Sequence, residues 1–153
     1  MTDEVKITSA ERIVRADPAA VFELIADPAQ HPRWDGNNNL AEAVKVDRIT
    51  EVGQKFVIRT TTDTLRENTV AEFEEGRLVA WLPADVDDVP FGQLWRWEVE
   101  PGDEPDTALV RHTYDWTGLP SDALPMRIER ARNTTSEWLM RSIDRLAELA
   151  EQG

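Results

Sequence analysis

Apolar and polar positions alternate with period two through most of the chain and change to a helical period only near its end. Gln93-Leu94-Trp95-Arg96-Trp97-Glu98-Val99 puts Gln93, Trp95, Trp97 and Val99 on one face and Arg96 and Glu98 on the other, as in a half-buried strand. Ala108 to Trp116 repeats the pattern, with Val110, His112, Tyr114 and Trp116 opposite Arg111, Thr113 and Asp115. Earlier strands are predicted over Ser9 to Arg15, Ala41 to Thr50 (Val44 and Val46 sharing a face), Lys55 to Thr61, Leu65 to Phe73 and Leu78 to Leu82. Gly53, Asp63 and Glu75-Gly76 supply turns between them, and Pro83 to Phe91 reads as a long loop. Along Leu65 to Phe73, an inward Val70 brings Arg66, Asn68 and Glu72 inward, whereas an inward Phe73 brings Glu67 and Thr69; a bulge reconciles the two.

Two helix starts fall between the first two strands. Asp17-Pro18 and Asp27-Pro28 each pair a capping carboxylate with a proline at a position whose N–H has no helical partner. The second leads through His31-Pro32-Arg33-Trp34 to the loop Asp35-Gly36-Asn37-Asn38-Asn39. From about Pro125, Ile128, Ala131, Thr135, Trp138, Leu139, Ser142, Ile143, Leu146 and Ala150 recur at helical spacing, which predicts one long amphipathic helix, kinked near Asn133-Thr134. No helix interrupts the later strands, so the sheet is expected to be antiparallel and the class α+β. A curved sheet covered by one helix leaves unfilled volume between them, and the large polar-tipped rings of the last two strands point into it.

Composition narrows the function classes. The 153 residues suit one domain spanning 1–153, with residues up to about Ile7 frayed. There are no cysteines, which removes disulfides, thiolate catalysis and Cys-based zinc sites. The formal charge of -13 argues against nucleic acid and anionic membrane surfaces. The N-terminus lacks the basic and apolar regions of a signal peptide, and no apolar run approaches the ~20 residues of a membrane helix, so a cytoplasmic protein without a membrane span is expected. No nucleophile motif, phosphate-cradling loop or dinucleotide fingerprint occurs, and no cofactor is expected. The acidic loops at Asp85, Asp87 and Asp88 and at Asp103, Glu104 and Asp106 lack calcium spacing, and no metal site is expected at His31 or His112.

The candidate site is therefore a ligand cavity. Indole, phenol and imidazole on one wall supply an apolar surface with placed hydrogen-bonding groups. Trp97, His112, Tyr114 and Trp116 carry this reading, with Trp116 at a strand end the one nearest to pure packing. Trp34 either caps the entrance or anchors the small helices, and His31 beside Pro32 is expected to be exposed. Arg66 either lies on the surface or receives a ligand carbonyl or carboxylate.

Particular stretches add a resemblance. Glu11 to Phe22, Asp27-Pro28 through Gly36, Val70 to Glu74 with Arg77 to Trp81, Trp95 to Pro101, Arg111 to Trp116 and Ser142 to Ala147 resemble the START-like or SRPBCC superfamily, and within it the polyketide cyclase/dehydrase-like family. The resemblance implies the helix-grip fold: a seven-stranded antiparallel sheet around a long C-terminal helix, with two short helices between strands 1 and 2. It implies a binder of an apolar or aromatic small molecule, lipid- or polyketide-like, acting as a monomer or homodimer. Trp34, Trp95, Trp97, His112, Tyr114, Trp138, Leu139 and Ser142 are the expected ligand contacts. A cyclase or dehydratase, with Tyr114, His112 or Arg66 polarising a carbonyl or moving a proton, is the alternative. A protein-interaction or cochaperone-like module is a third.

Overall fold

A computed structural model describes residues 4–152. Strand β1 (Ile7–Val14) leads into α1 (Pro18–Ala26), a 3₁₀ turn (Pro28–Gln30) and α2 (His31–Trp34). Strands β2 (Leu40–Lys45), β3 (Lys55–Thr60), β4 (Leu65–Glu74), β5 (Leu78–Ala84), β6 (Leu94–Pro101) and β7 (Ala108–Asp115) follow, then α3 (Pro125–Arg132) and α4 (Ser136–Gln152). All neighbouring strands are antiparallel, in the order β1-β7-β6-β5-β4-β3-β2. Strands β1 and β2 are the two edges, so α1 and α2 cross from one side of the sheet to the other. Helix α4 lies across β1 and β7 and against α1 and α2. This is the helix-grip architecture.

Local chemistry explains the elements. The Asp17 carboxylate accepts from Ala19 N at 3.4 Å and Asp27 from Ala29 N at 3.1 Å, each capping a proline-initiated turn. Asn38, Asp63, Asp87 and Asp106 take positive φ in turns, a conformation their short polar side chains tolerate. The inner face of α4 buries Leu139, Ser142, Ile143, Leu146 and Ala147, which recur at helical spacing. Phe56, Ile58, Val79, Trp97, Val99 and Val110 of the sheet belong to the same buried cluster as Ile143, Leu146 and Ala147 of this face.

Strand β4 combines both predicted registers. Val70 stands opposite Trp81 and Glu72 opposite Ala80, so Ala71 is an extra residue in a bulge. Before it, Asn68 and Val70 are buried; after it, Phe73 packs on the core and Glu72 turns outward to Arg96 at 2.6 Å.

Several expectations are corrected. Strand β2 ends at Lys45 rather than Thr50, and its register shifts twice, so Val44 is exposed while Val46 packs on the core. The following segment satisfies its backbone elsewhere: Ile49 N donates to the carbonyl of Ala26 at the end of α1, at 2.8 Å. The C-terminal helix is two helices. Thr135 Oγ1 accepts from Trp138 N at 3.2 Å and Thr134 Oγ1 donates to Arg130 O at 2.9 Å, so two hydroxyls compete with the helical ladder at the break. The predicted fraying falls partly outside the described residues. Within them, Ile7 already pairs with Asp115, Lys6 O accepts from Trp116 N at 2.9 Å, and Glu4 pairs with Arg132 at 2.6 Å. His31, expected to be exposed, is buried at 1% exposure, because its ring stacks on Trp81 and its Nε2 donates to Ile25 O at 2.7 Å.

Candidate functional site

Strand pairing brings the large rings together. Cross-strand register sets Trp97 opposite His112, Trp95 opposite Tyr114 and Trp81 opposite Trp95. His112 lies flat on Trp97, with centroids 3.8 Å apart and planes 14° from parallel. Tyr114 tilts against Trp95 at 4.4 Å, and Trp138 of α4 stacks on the same indole at 5.7 Å. Trp34 meets Trp97 edge-on at 5.0 Å. The result is the floor of a cavity of about 770 Å³, within the range of small-molecule sites.

Its walls come from separate elements. Asn68, Arg66, Thr64 and Thr60 rise on the β3–β4 side, Phe91 and Gln93 lead into β6, and Trp138 and Ser142 belong to α4. Met126, Arg127 and Arg130 of α3 stand at the mouth, where the helix break has placed a separate segment. The loop after α2 closes one end. Gly36 N donates to Ser142 Oγ at 3.2 Å and Asn37 Nδ2 to Trp138 O at 2.8 Å. Gly36 must lack a side chain: a Cβ there would collide with the carbonyl group of Arg141. Asp35 holds the loop by accepting from Asn37, Asn39 and Leu40 N–H groups at 3.1, 2.5 and 2.7 Å.

The polar atoms of the cavity are unevenly satisfied. Nδ1 of His112 donates to Arg96 O at 3.0 Å, which fixes the tautomer and leaves Nε2 as an acceptor. Burial pulls the imidazole down to about 3, against the raising effect of that backbone bond, so the ring is neutral at pH 7. Burial pushes the Tyr114 phenol up to about 12, with Gln93 opposing. Arg66 is pulled below its ordinary value by burial; Asp85, at 2.9 Å, opposes this, and the like charges of Arg127 and Arg130 reinforce it. Among the described residues, two buried side-chain atoms have no partner, Trp97 Nε1 (a donor) and Gln93 Oε1 (an acceptor), and both residues line the cavity.

Of the predicted contacts, Trp34, Trp95, Trp97, His112, Tyr114, Trp138 and Ser142 line the cavity, as does Arg66. Leu139 does not: it is fully buried in a second core cluster with Tyr114, Trp116, Leu119 and Ala131. Trp116 belongs to that cluster too, with Lys6 over its ring at 5.3 Å. Trp34 is a buried anchor rather than an entrance cap, its Nε1 donating to Leu24 O at 2.7 Å. Sequence reasoning missed Trp81, although Val79, Trp81 and Pro83 share a period-two face on β5. It also passed over Phe91 and Arg127, and the helical period puts Arg130 on the outer face, whereas all three line the cavity.

The family model for "Polyketide cyclase / dehydrase and lipid transport" matches residues 5–151. The chain belongs to this family. Among curated relatives, uncharacterized protein Rv0088 of Mycobacterium tuberculosis is 30% identical over 106 residues, covering 67% of this chain and 44% of that protein. The chain thus spans less than half the length of the curated relatives it matches. Solved structures share the fold at low identity. A START superfamily protein from Mycobacterium smegmatis has a TM-score of 0.65 at 16% identity, covering 95% of this chain and 97% of that one. XoxI from Bacillus cereus has a TM-score of 0.69 at 17% identity, covering 96% of each chain. These likenesses are of fold, and no helix among the described residues is long and apolar enough to cross a membrane.

Proposed function

We propose that the protein binds an apolar or aromatic small molecule between the sheet and α4. One observation carries the reading: the rings surround an unfilled volume of about 770 Å³, and two of the residues lining it, Trp97 and Gln93, hold buried polar atoms, Nε1 and Oε1, with no protein partner. Leaving such groups buried and unpaired costs about 1–3 kcal/mol each, a penalty that a ligand with an acceptor and a donor relieves. The aromatic body of the ligand lies on Trp95 and Trp97, and His112 Nε2 accepts a ligand donor.

The same geometry supports binding rather than proton transfer. A general acid or base works best with a pKa near the operating pH. Burial draws His112 down to about 3 and pushes Tyr114 up to about 12, both far from neutral pH. Titration with 1-pyrenebutanol, followed by quenching of the cavity tryptophans, tests the reading. Saturable one-to-one quenching that is lost in Trp97→Ala is expected; quenching that never saturates, or that persists unchanged in folded Trp97→Ala, would sink it.

A further inference from the structure

The charge at the cavity mouth runs against the charge of the chain. Thirty carboxylates against seventeen basic residues give the protein a formal charge of -13. Most surface arginines accordingly sit on acids: Arg48 on Glu23 and Glu75, Arg59 on Glu42 and Asp63, Arg111 on Glu11. Among the described residues six arginines have no such pair, Arg15, Arg33, Arg127, Arg130, Arg141 and Arg145, and of these Arg127 and Arg130 are the two that line the cavity. They are spaced i,i+3 on α3 and so occupy one face of it. Arg127 stacks over Phe91 at 3.8 Å, and Arg66 approaches the same ring at 5.2 Å. Phe91 therefore carries two guanidinium groups over its ring, and among the described residues Asp85 is the one carboxylate within ion-pair distance of the three arginines.

Three cations beside one another repel, and a protein rich in carboxylates had the means to neutralise them. Their donors instead border an apolar chamber, where a planar fork of N–H groups suits carboxylate or phosphate oxygens. Resting on the small-molecule reading above, we infer that the ligand is an amphipathic anion: its apolar or aromatic body lies on the tryptophan floor, and its carboxylate or phosphate is held at the mouth by Arg127 and Arg130, with Arg66 as the third donor. The negative remainder of the surface keeps free polyanions away, so selectivity comes from the combination of an anionic head with an apolar body.

A matched pair of probes tests this: 1-pyrenebutyrate and 1-pyrenebutanol, titrated at low ionic strength with tryptophan quenching as the readout. The acid should bind roughly tenfold more tightly than the alcohol, as charge-assisted hydrogen bonds imply. The preference should shrink with added salt. In Arg127→Gln/Arg130→Gln, two exposed or half-buried positions whose neutralisation leaves the core untouched, the ratio of the two affinities should fall toward one. Equal or better binding of the alcohol to the native protein, or a ratio unchanged in the double variant, would overturn the anionic-head assignment while leaving the pocket standing. Failure of both probes to bind would overturn the pocket reading and this inference with it.

Discussion

Two buried histidines stack on two tryptophans, His31 on Trp81 with centroids 5.0 Å apart and His112 on Trp97 at 3.8 Å. Each donates one ring N–H to a backbone carbonyl, and burial draws both toward lower pKa, His31 to about 4 and His112 to about 3. The surroundings differ. Around His31, Trp34 and Phe56 pack at 4.7 and 5.4 Å and the Trp34 indole N–H is paired with Leu24 O, although Trp34 and Trp81 also border the cavity. Around His112, the Trp97 indole N–H and the Gln93 carbonyl oxygen are buried without partners beside an open volume. The same residue types thus serve packing where their polar tips find carbonyls, and point to recognition where they do not.

The largest effects should separate the two clusters by function rather than by stability. Phe56→Ala and Trp97→Ala each remove a fully buried ring and should cost about 3–5 kcal/mol in urea melts. Among folded molecules, only Trp97→Ala should lose 1-pyrenebutanol binding. If Phe56→Ala lost it equally, the clusters would be one functional unit and the contrast would collapse.

Acid should expose what the two clusters share. The unfolded chain takes up histidine protons near pH 6.5, whereas the folded protein does not until about 4 at His31 and about 3 at His112. The unfolded state therefore binds more protons in that window, so stability is full above pH 6.5 and falls as pH drops toward 4. Each histidine contributes a slope of up to about 1.4 kcal/mol per pH unit. Urea melts between pH 7 and 4.5 should show this loss, and His112→Gln should roughly halve its slope. A slope indifferent to that substitution would mean His112 is charged or solvated in the folded state.

Smaller changes probe the orphaned donor. Trp97→Phe keeps a ring and removes the N–H; it should weaken 1-pyrenebutanol binding by roughly threefold to tenfold. Unaltered affinity would show that this N–H meets no ligand atom. Tyr114→Phe should shift stability by less than about 1 kcal/mol, since its phenol is neutral and modestly engaged. A loss several times larger would place the hydroxyl in a buried network.

Much of this was legible in residues. Alternation in Gln93 to Val99 and Ala108 to Trp116 placed Trp95, Trp97, His112 and Tyr114 on one inward face, because strand geometry leaves only two faces. The register of β4 was open for a physical reason: a single extra residue, Ala71, serves both alternatives, and no local signal marks it. His31 was misjudged because its burial depends on Trp81 and Phe56, which are distant in sequence. Arg130 reads from a single continuous helical period as an outer-face residue and Arg127 gives no signal of its own, because their place at the cavity depends on where the helix break puts them.

The most direct test is native mass spectrometry of freshly purified protein, repeated after incubation with excess 1-pyrenebutanol and again after denaturation. A discrete one-to-one adduct that disappears on unfolding is the expected result. A bare polypeptide mass in both the fresh and the incubated samples would contradict a ligand-binding cavity.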